Sequence, residues 1–330
     1  MFKLNRYALI LFLSACQPFS YHVTAVDQYG NTQKAEGKPT EMPTPTDTAT
    51  PSPLGQHSYT DRIDDHPLEY QFHVLYVINA DTQNAVRDID GSIDENVKLM
   101  NEWFSSQSTG TTFRFDTYQQ ELDITLVTLP ITEAGMFDYV KKQYSQHDER
   151  YDGMVFLHDG LEDWLERLNQ IRPFMQTGKI YVAYYEISKS FTCGDSAGAG
   201  KRVIGMYPSA FSMRDDSECA AAADQSLDNE RGLWEHILAH EIIHSLGFAN
   251  SCATHAIQKD IHIDDPATPT DIMGVRQGLY ATNPVLDPNH DDYYMTNLDC
   301  PDLADSPFLE PLPEKQVLPE GVLTESWRLP

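Results

Sequence analysis

Basic residues are scarce in this chain, and their scarcity limits what it can bind. The sequence holds 23 Lys and Arg residues against 50 Asp and Glu residues, which gives a formal net charge of −27. Proteins that bind nucleic acid need a positive surface to neutralise phosphate, so we expect no nucleic acid among the partners. An acidic excess of this size favours solubility, but it does not identify a substrate.

Apolar runs long enough to cross a bilayer are also lacking. Lys3 and Arg6 precede an apolar run over residues 7–13, which is much shorter than the ~20 residues that a membrane-spanning helix needs. A basic start followed by a short apolar run is typical of an export signal.

The residues at the end of this run, Leu13-Ser14-Ala15-Cys16, resemble the bacterial lipobox. The resemblance implies a signal peptide over residues 1–15 and a diacylated Cys16 as the first residue of the mature chain. The protein is then expected to be exported and anchored by lipid to the outer face of a bacterial cell membrane or envelope. The alternative is an ordinary signal peptide with an incidental cysteine.

Cysteine is rare, and no two cysteines are spaced as CxxC. Apart from Cys16, the chain contains Cys193, Cys219, Cys252 and Cys300. An even number of cysteines in an exported chain is typical of disulfides, and four cysteines allow three pairings. We favour Cys193–Cys219 and Cys252–Cys300. A second zinc site built from these cysteines is the alternative, which the lack of a CxxC pair disfavours.

Large apolar residues are few over residues 16–65, where Thr and Pro are frequent. Such a segment cannot bury enough apolar surface to order itself, so we predict a disordered tether over residues 16–65. A folded domain is predicted over residues 66–310, and a carboxy-terminal tail over residues 311–330.

Strand-like and helix-like segments alternate through the predicted domain. This alternation predicts an α+β fold with a mixed, twisted sheet packed with helices. One predicted helix begins at Ser92, where Ser92 and Glu95 have the spacing of a capping box. The other predicted helices are 136–144, 161–171 and one within 233–248. The predicted strands are 72–78, 112–118, 122–127, 154–157, 180–185 and 203–207.

The last of these helices carries the motif His240-Glu241-Ile242-Ile243-His244. Residues four apart lie one above the other on a helix, so His240 and His244 can bind the same metal ion. Glu241 lies between them, placed to act as a general base on water. Gly247 follows where a helix commonly ends. The alternative is an amphipathic helix with two solvated or core-satisfied histidines.

His236 lies on the same face of this helix, one turn before His240. It would be ~12 Å along the helix axis from His244 at 1.5 Å per residue. That separation is too large for one ion, so His236 is not a predicted ligand.

The motif extends to His240-Glu241-x-x-His244-x-x-Gly247 and is followed by Asp271-Ile272-Met273-Gly274. Together these segments resemble the metzincin clan of zinc endopeptidases. The resemblance implies a metzincin-like catalytic domain in which Met273 belongs to the methionine turn and does not bind the metal. In that clan the residue three after the glycine is usually His or Asp. Here it is Asn250, a poor zinc ligand, so the chain departs from the clan at this position.

A further resemblance is to exported bacterial proteins with the features of zinc peptidases. Their pattern places a cysteine, then a histidine followed by an aspartate, then a DLM-type turn after the HExxHxxG motif. Here the corresponding segments are Cys252, His262-Ile263-Asp264-Asp265 and Asp271-Ile272-Met273. The resemblance implies His262 as the third zinc ligand. The alternatives are Asn250, His255, Asp264 and Asp265, and either aspartate could instead orient a histidine.

These resemblances imply a zinc-dependent endopeptidase that acts on a protein or peptide substrate and is expected to be a monomer. Glu241 is then the general base, and Tyr280, His290 or Tyr293 could donate a hydrogen bond to the oxyanion or be structural. Calcium is a possible additional ion at Asp264-Asp265 or within 287–292, where turn capping is the alternative. Two other function classes stay open: a non-catalytic metal-binding or adhesion lipoprotein, and a zinc amidase acting on cell-wall peptides.

We expect the Cys16→Ser variant to move from the membrane fraction to the soluble fraction, because the substitution removes the acyl acceptor. Ultracentrifugation of cell lysates followed by immunoblotting measures the distribution. Membrane association that survives the substitution contradicts the lipobox interpretation.

Overall fold

The computed structural model describes twelve stretches of the chain, and the statements below concern these. They are residues 55–66, 70–83, 86–144, 157–196, 202–212, 217–219, 233–248, 252–257, 262–276, 283–296, 298 and 300–316. The predicted signal peptide, Cys16 and most of the predicted tether lie outside the described residues.

Helices and short strands alternate along the described chain. The strands are β1 (Gln71–Asn79), β2 (Thr112–Phe113), β3 (Thr117–Tyr118), β4 (Glu121–Leu122), β5 (Ile124–Leu129), β6 (Lys179–Glu186), β7 (Lys189–Ser190), β8 (Gly194–Asp195), β9 (Val203–Met206), β10 (Phe211–Ser212), β11 (Ser217–Glu218) and β12 (Leu309–Glu310). The helices are α1 (Ser92–Gln107), α2 (Glu133–Tyr144), α3 (Leu157–Arg167), α4 (Phe174–Thr177), α5 (Leu233–Leu246) and a 3-10 helix (Leu303–Asp305).

A five-stranded sheet in the order β5-β1-β6-β9-β8 forms the centre of the fold. The strands from β5 to β9 are parallel, and β8 is antiparallel to β9 at the edge. Every residue of β1 and β6 is buried, which accounts for their nearly continuous apolar sequences, since both faces of a parallel sheet are covered. Near the end of the described chain, β12 pairs with β2. The predicted α+β class, with a mixed sheet packed with helices, is confirmed.

Helix α5 is buried from Trp234 to Leu246 and contacts α1, β8 and β9. Its sequence is apolar on most sides, which is typical of a helix enclosed by protein rather than one with a solvated face. The alternative of two solvated histidines is therefore excluded. The helix ends at Gly247, whose φ of 75° lies in the left-handed region. This ending is the one predicted from the sequence.

Helix α1 begins at Ser92, as predicted, but its predicted cap and the predicted strand before α3 differ from the structure. At α1, Gly91 is the N-cap residue and Ser92 makes no side-chain cap; instead the Ser92 amide donates to Asp90 Oδ1 at 2.8 Å. The predicted capping box is therefore wrong. Of the predicted strand 154–157, residues 154–156 lie outside the described residues, and Leu157 begins α3 instead. The Leu157 amide donates to Asp195 Oδ2 at 3.0 Å, a cap supplied by a distant strand.

The predicted strand regions 112–118 and 122–127 form four shorter strands, β2 to β5. Both predicted disulfides, Cys193–Cys219 and Cys252–Cys300, are present. Among the described residues, no helix combines the length and apolar character that a bilayer span requires.

Residues 58–65, which the sequence analysis placed in the tether, contact the sheet. Ser58 pairs with Thr125 of β5, and Arg62 Nε donates to Asp123 Oδ1 at 2.6 Å. The folded part thus begins before the predicted boundary at residue 66, because partners far along the chain order this segment.

A buried ammonium group holds the same segment to the start of β6. Lys179 is 3% exposed, and its Nζ lies 2.8 Å from Asp61 Oδ1, 2.7 Å from Asp64 Oδ1 and 2.8 Å from Asp116 Oδ2. Burial lowers the pKa of Lys179, but Asp116, Asp61 and Asp64 outweigh that effect and raise it above its ordinary value. The ammonium group therefore stays charged in the interior.

We expect Lys179→Met to lower the free energy of unfolding by about 3–5 kcal/mol, because it leaves carboxylates in the interior without their cation. Lys98→Met is the matched control, since Lys98 pairs with Glu95 on an exposed surface and should change stability by at most about 0.5 kcal/mol. Urea titration measures both variants. If Lys179→Met lowers the free energy of unfolding no more than Lys98→Met does, the stabilising role of the buried Lys179 ammonium group is contradicted.

Candidate metal centre

Three imidazoles meet at one end of the buried helix. His240 and His244 come from α5, and His262 comes from the segment that follows it. His244 Nε2 lies 2.9 Å from His240 Nε2 and 3.3 Å from His262 Nε2. One ring nitrogen of each histidine lies within 4.8 Å of the other two. The structure thus brings together the three residues that the sequence analysis selected as metal ligands.

The protonation of these rings fits a metal ion. His240 Nδ1 lies 2.7 Å from the Ile272 carbonyl oxygen, which can only accept, so Nδ1 carries the proton and Nε2 is a ligand atom. Burial, followed by the influence of His240 and His262, lowers the pKa of His244 well below its ordinary value. Neutral imidazole is the form that binds metals.

The spacing also fits zinc. In a tetrahedral site with Zn–N bonds of about 2.05 Å, neighbouring nitrogens lie about 3.4 Å apart. The distances of 2.9 and 3.3 Å are close to this value, so the three rings could bind one zinc ion after a small adjustment. Three protein ligands leave a fourth position for water, as in catalytic zinc sites.

Glu241 lies between the two helix histidines and is 7% exposed. The edge strand β8 packs against it. A Cβ atom on Gly194 would lie 2.5 Å from Ile237 Cγ2 and 3.3 Å from Glu241 Cγ, so only glycine allows β8 this close to α5. Ser196 Oγ donates to the backbone oxygen of Glu241 at 3.2 Å.

Sequence reasoning missed the roles of Gly194 and Ser196. The available signal was the position of Gly194 directly after Cys193, within a segment expected to be closed by a disulfide. The sequence analysis could not place that segment beside Glu241, because α5 lies about forty residues further along the chain.

The predicted methionine turn lies beside the imidazoles. The Met273 amide donates to Asp271 Oδ1 at 2.7 Å, and the Gly274 amide donates to the Asp271 carbonyl oxygen at 2.8 Å. The Ile263 amide donates to the Met273 carbonyl oxygen at 3.0 Å, which joins the turn to the residue after His262. Met273 itself is fully buried.

The alternative ligands lie elsewhere or have other partners. His255 Nδ1 bonds to the Asp292 carboxylate at 3.1 Å. Asp264 pairs with Arg276 at 2.8 Å on an exposed surface. Asp265 caps a turn, accepting from the Ala267 amide at 2.8 Å and the Thr268 hydroxyl at 2.9 Å. Asn250 lies outside the described residues.

The three candidate oxyanion donors differ in their burial and hydrogen-bond partners, where the structure describes them. Tyr280 lies outside the described residues. His290 is exposed, with Nδ1 3.1 Å from the Tyr294 carbonyl oxygen. Tyr293 is fully buried, and its hydroxyl donates to Asp271 Oδ1 at 2.9 Å and accepts from the Asp287 amide at 3.1 Å. Tyr293 is therefore structural, the alternative that the sequence left open.

A second group of titratable side chains includes Asp271 of the methionine turn. Asp271, Asp287 and Asp292 are all buried and place one carboxylate oxygen each within 4.8 Å of one another. Burial, opposed by hydrogen bonds from Met273 and Tyr293, raises the pKa of Asp271 to about 7. Asp287 Oδ2 accepts from the amides of Tyr293 and Tyr294 at 2.8 and 2.7 Å, which is the turn capping that the sequence left open. Calcium at these acidic segments stays a prediction.

No protein-family model and no curated protein matches this chain. Among solved structures, archaemetzincin from Methanopyrus kandleri matches with 12% identity and a TM-score of 0.31, covering 66% of this chain and 90% of that chain. Catalytically inactive OgpA from Akkermansia muciniphila, in complex with an O-glycopeptide substrate, matches with 10% identity and a TM-score of 0.38. That match covers 68% of this chain and 59% of OgpA, less than two thirds of its length. Likenesses this distant do not assign a function.

We expect His262→Ala to lower zinc affinity far more than His255→Ala, because His262 is in the imidazole cluster and His255 is bonded to Asp292. Loss of one zinc ligand should lower the zinc affinity by well over the 10–100-fold that is typical when a hydrogen-bond partner of a ligand is lost. Competition with a chromophoric chelator measures both affinities. Equal losses, or a larger loss for His255→Ala, would contradict the assignment.

Proposed function

We propose that this protein is a zinc-dependent endopeptidase, a hydrolase of peptide bonds. The observation that carries the proposal is the convergence of three histidine Nε2 atoms beside a buried carboxylate on the same helix. A set of three imidazoles is typical of catalytic zinc, whereas structural zinc sites are usually closed by four protein ligands.

His240, His244 and His262 are the residues that would hold the ion. Zinc bound there supplies Lewis acidity, which acidifies water and polarises a carbonyl group. Glu241 follows His240 directly and has the position of the general base. Its carboxylate takes a proton from the attacking water and returns that proton to the leaving amine as the peptide bond breaks.

The position of β8 supports a peptide substrate. This strand is the outermost of the five-stranded sheet among the described residues, and it packs against Glu241. An extended peptide can add to the outermost strand of a sheet through main-chain hydrogen bonds. Both residues of β8 are buried, so a peptide that pairs with this strand would lie next to the protein interior that contains Glu241.

The location of the enzyme is part of the same proposal. The lipobox-like segment ending at Cys16 supports a lipid anchor on the outer face of a bacterial envelope, with the Thr- and Pro-rich segment as a tether. Two disulfides are consistent with an oxidising compartment.

We expect Glu241→Gln to retain zinc and to lower peptide hydrolysis by about 10²–10⁴-fold, the range for loss of a general base. Casein and a peptide library are the substrates, and elemental analysis gives the zinc content. Glu235→Gln is the matched control on the same helix, since Glu235 accepts a hydrogen bond from Asn96 and has no proposed role in catalysis.

Equal turnover by wild type and Glu241→Gln would remove the proposed base. Zinc binding without hydrolysis of casein, library peptides or cell-wall peptides would favour a non-catalytic binding protein. Hydrolysis of cell-wall peptides alone would favour the amidase.

A further inference from the structure

The orientation of His240 depends on a group outside its own helix. His240 Nδ1 donates to the carbonyl oxygen of Ile272 at 2.7 Å. A shift of this carbonyl would turn the ring and move Nε2 away from His244. What fixes Ile272 therefore determines where one proposed ligand atom points.

Ile272 is held by its own amide, which donates to the Val285 carbonyl oxygen at 2.9 Å, and by hydrogen bonds to the residues on either side of it. Asp271 Oδ1 accepts from the Met273 amide at 2.7 Å and from the Tyr293 hydroxyl at 2.9 Å. The same hydroxyl accepts from the Asp287 amide at 3.1 Å. Tyr293 thus ties the turn that carries Ile272 to a loop about twenty residues further along the chain. The residues that make these bonds are each at most 1% exposed, so water does not compete for them; they are Asp271, Met273, Asp287 and Tyr293.

The same loop reaches His262 through a different contact. Asp292 Oδ1 accepts from the His255 amide at 2.7 Å, and the Asp292 carboxylate also bonds to His255 Nδ1. The His255 carbonyl oxygen accepts from the Asp264 amide at 3.0 Å. Asp264 is two residues after His262, so this contact fixes the segment that carries the third imidazole.

Asp287 makes the loop itself rigid. Its carboxylate accepts from four successive backbone amides, those of residues 291–294, at 2.7 to 3.2 Å. A loop closed in this way presents Asp292 and Tyr293 in fixed relative positions.

We propose that the loop over residues 287–294 is the positioning element of the metal centre. Through Tyr293 and Asp271 it sets the carbonyl that orients His240, and through Asp292 and His255 it sets the segment that carries His262. The inference rests on the proposed function, since it assumes that these imidazoles bind zinc. In this proposal Tyr293, Asp271 and Asp292 are positioning residues, which act through the groups that they hold and are not ligands of the zinc.

Tyr293→Phe removes one hydroxyl and keeps the ring, so it tests the hydrogen bonds that connect the loop over residues 287–294 to the turn that orients His240. We expect a 10–100-fold loss of zinc affinity, the range for outer partners of zinc ligands. We also expect an altered visible absorption spectrum in the cobalt-substituted protein, because the ligand geometry changes. Tyr181→Phe is the matched control: Tyr181 is equally buried and loses a hydrogen bond from the Arg172 amide.

Two substitutions of Asp271 separate positioning from charge. Asp271→Asn keeps an oxygen that accepts from the Met273 amide and the Tyr293 hydroxyl, so zinc affinity should stay within a few-fold of wild type. Asp271→Ala removes the acceptor and should match or exceed the loss in Tyr293→Phe. Thermal unfolding of the metal-free variants reports any general loss of stability, which Tyr181→Phe should share.

Zinc affinity in Tyr293→Phe that falls no further than in Tyr181→Phe would overturn the inference. A loss in Asp271→Asn equal to that in Asp271→Ala would also overturn it, because charge rather than the hydrogen bond would then matter. These readouts are independent of peptidase activity. A wild type that binds no zinc would instead refute the proposed function.

Discussion

A helix that is enclosed by protein must find a partner inside the protein for each polar side chain that it carries. Six buried side chains of helix α5 are polar, and neighbouring elements contact several of them; the six are Glu235, His236, His240, Glu241, His244 and Ser245. Asn96 of α1 donates to Glu235, Trp103 of α1 packs its ring against His236 at 5.5 Å, and the Ile272 carbonyl accepts from His240. Trp234 donates to the carbonyl oxygen of Cys219, beside the first disulfide. The candidate metal centre is thus one part of a larger set of polar contacts around a single buried helix.

Three basic side chains lie in the interior of the described part of the chain. Arg114, Lys179 and Arg202 are each at most 6% exposed. Each bonds to carboxylates or carbonyl groups, as Arg114 does with the carbonyl oxygens of Tyr70, Pro307 and Leu309. Eleven Asp and Glu side chains are also buried among the described residues, so the interior, like the whole chain, holds more acidic than basic groups.

Local sequence patterns predicted the parts of the fold that local forces determine. The long buried strands and the termination of α5 at Gly247 follow from apolar runs and glycine chemistry, and the structure has both. Resemblance, rather than spacing, selected His262, and the structure places it beside His240 and His244. The failure at Ser92 was local, because Asp90, two residues earlier, accepts from the Ser92 amide in place of the expected capping box. Another failure arose where a distant residue decides the outcome, as when Asp195 caps α3. The contact of Gly194 with Glu241 and the buried hydroxyl of Tyr293 were not foreseeable for the same reason.

The pairing of β12 with β2 and the disulfide between Cys252 and Cys300 have a consequence for the order in which the molecule can be built. A ribosome that has translated as far as α5 has made His240, Glu241 and His244, but His262, Tyr293 and Cys300 do not yet exist. A nascent or prematurely terminated chain therefore contains the histidine motif without the surroundings that orient it. The three imidazoles and the residues that orient them are complete only when the chain has been synthesised at least as far as Cys300, so helix α5 exists before the cluster to which it contributes.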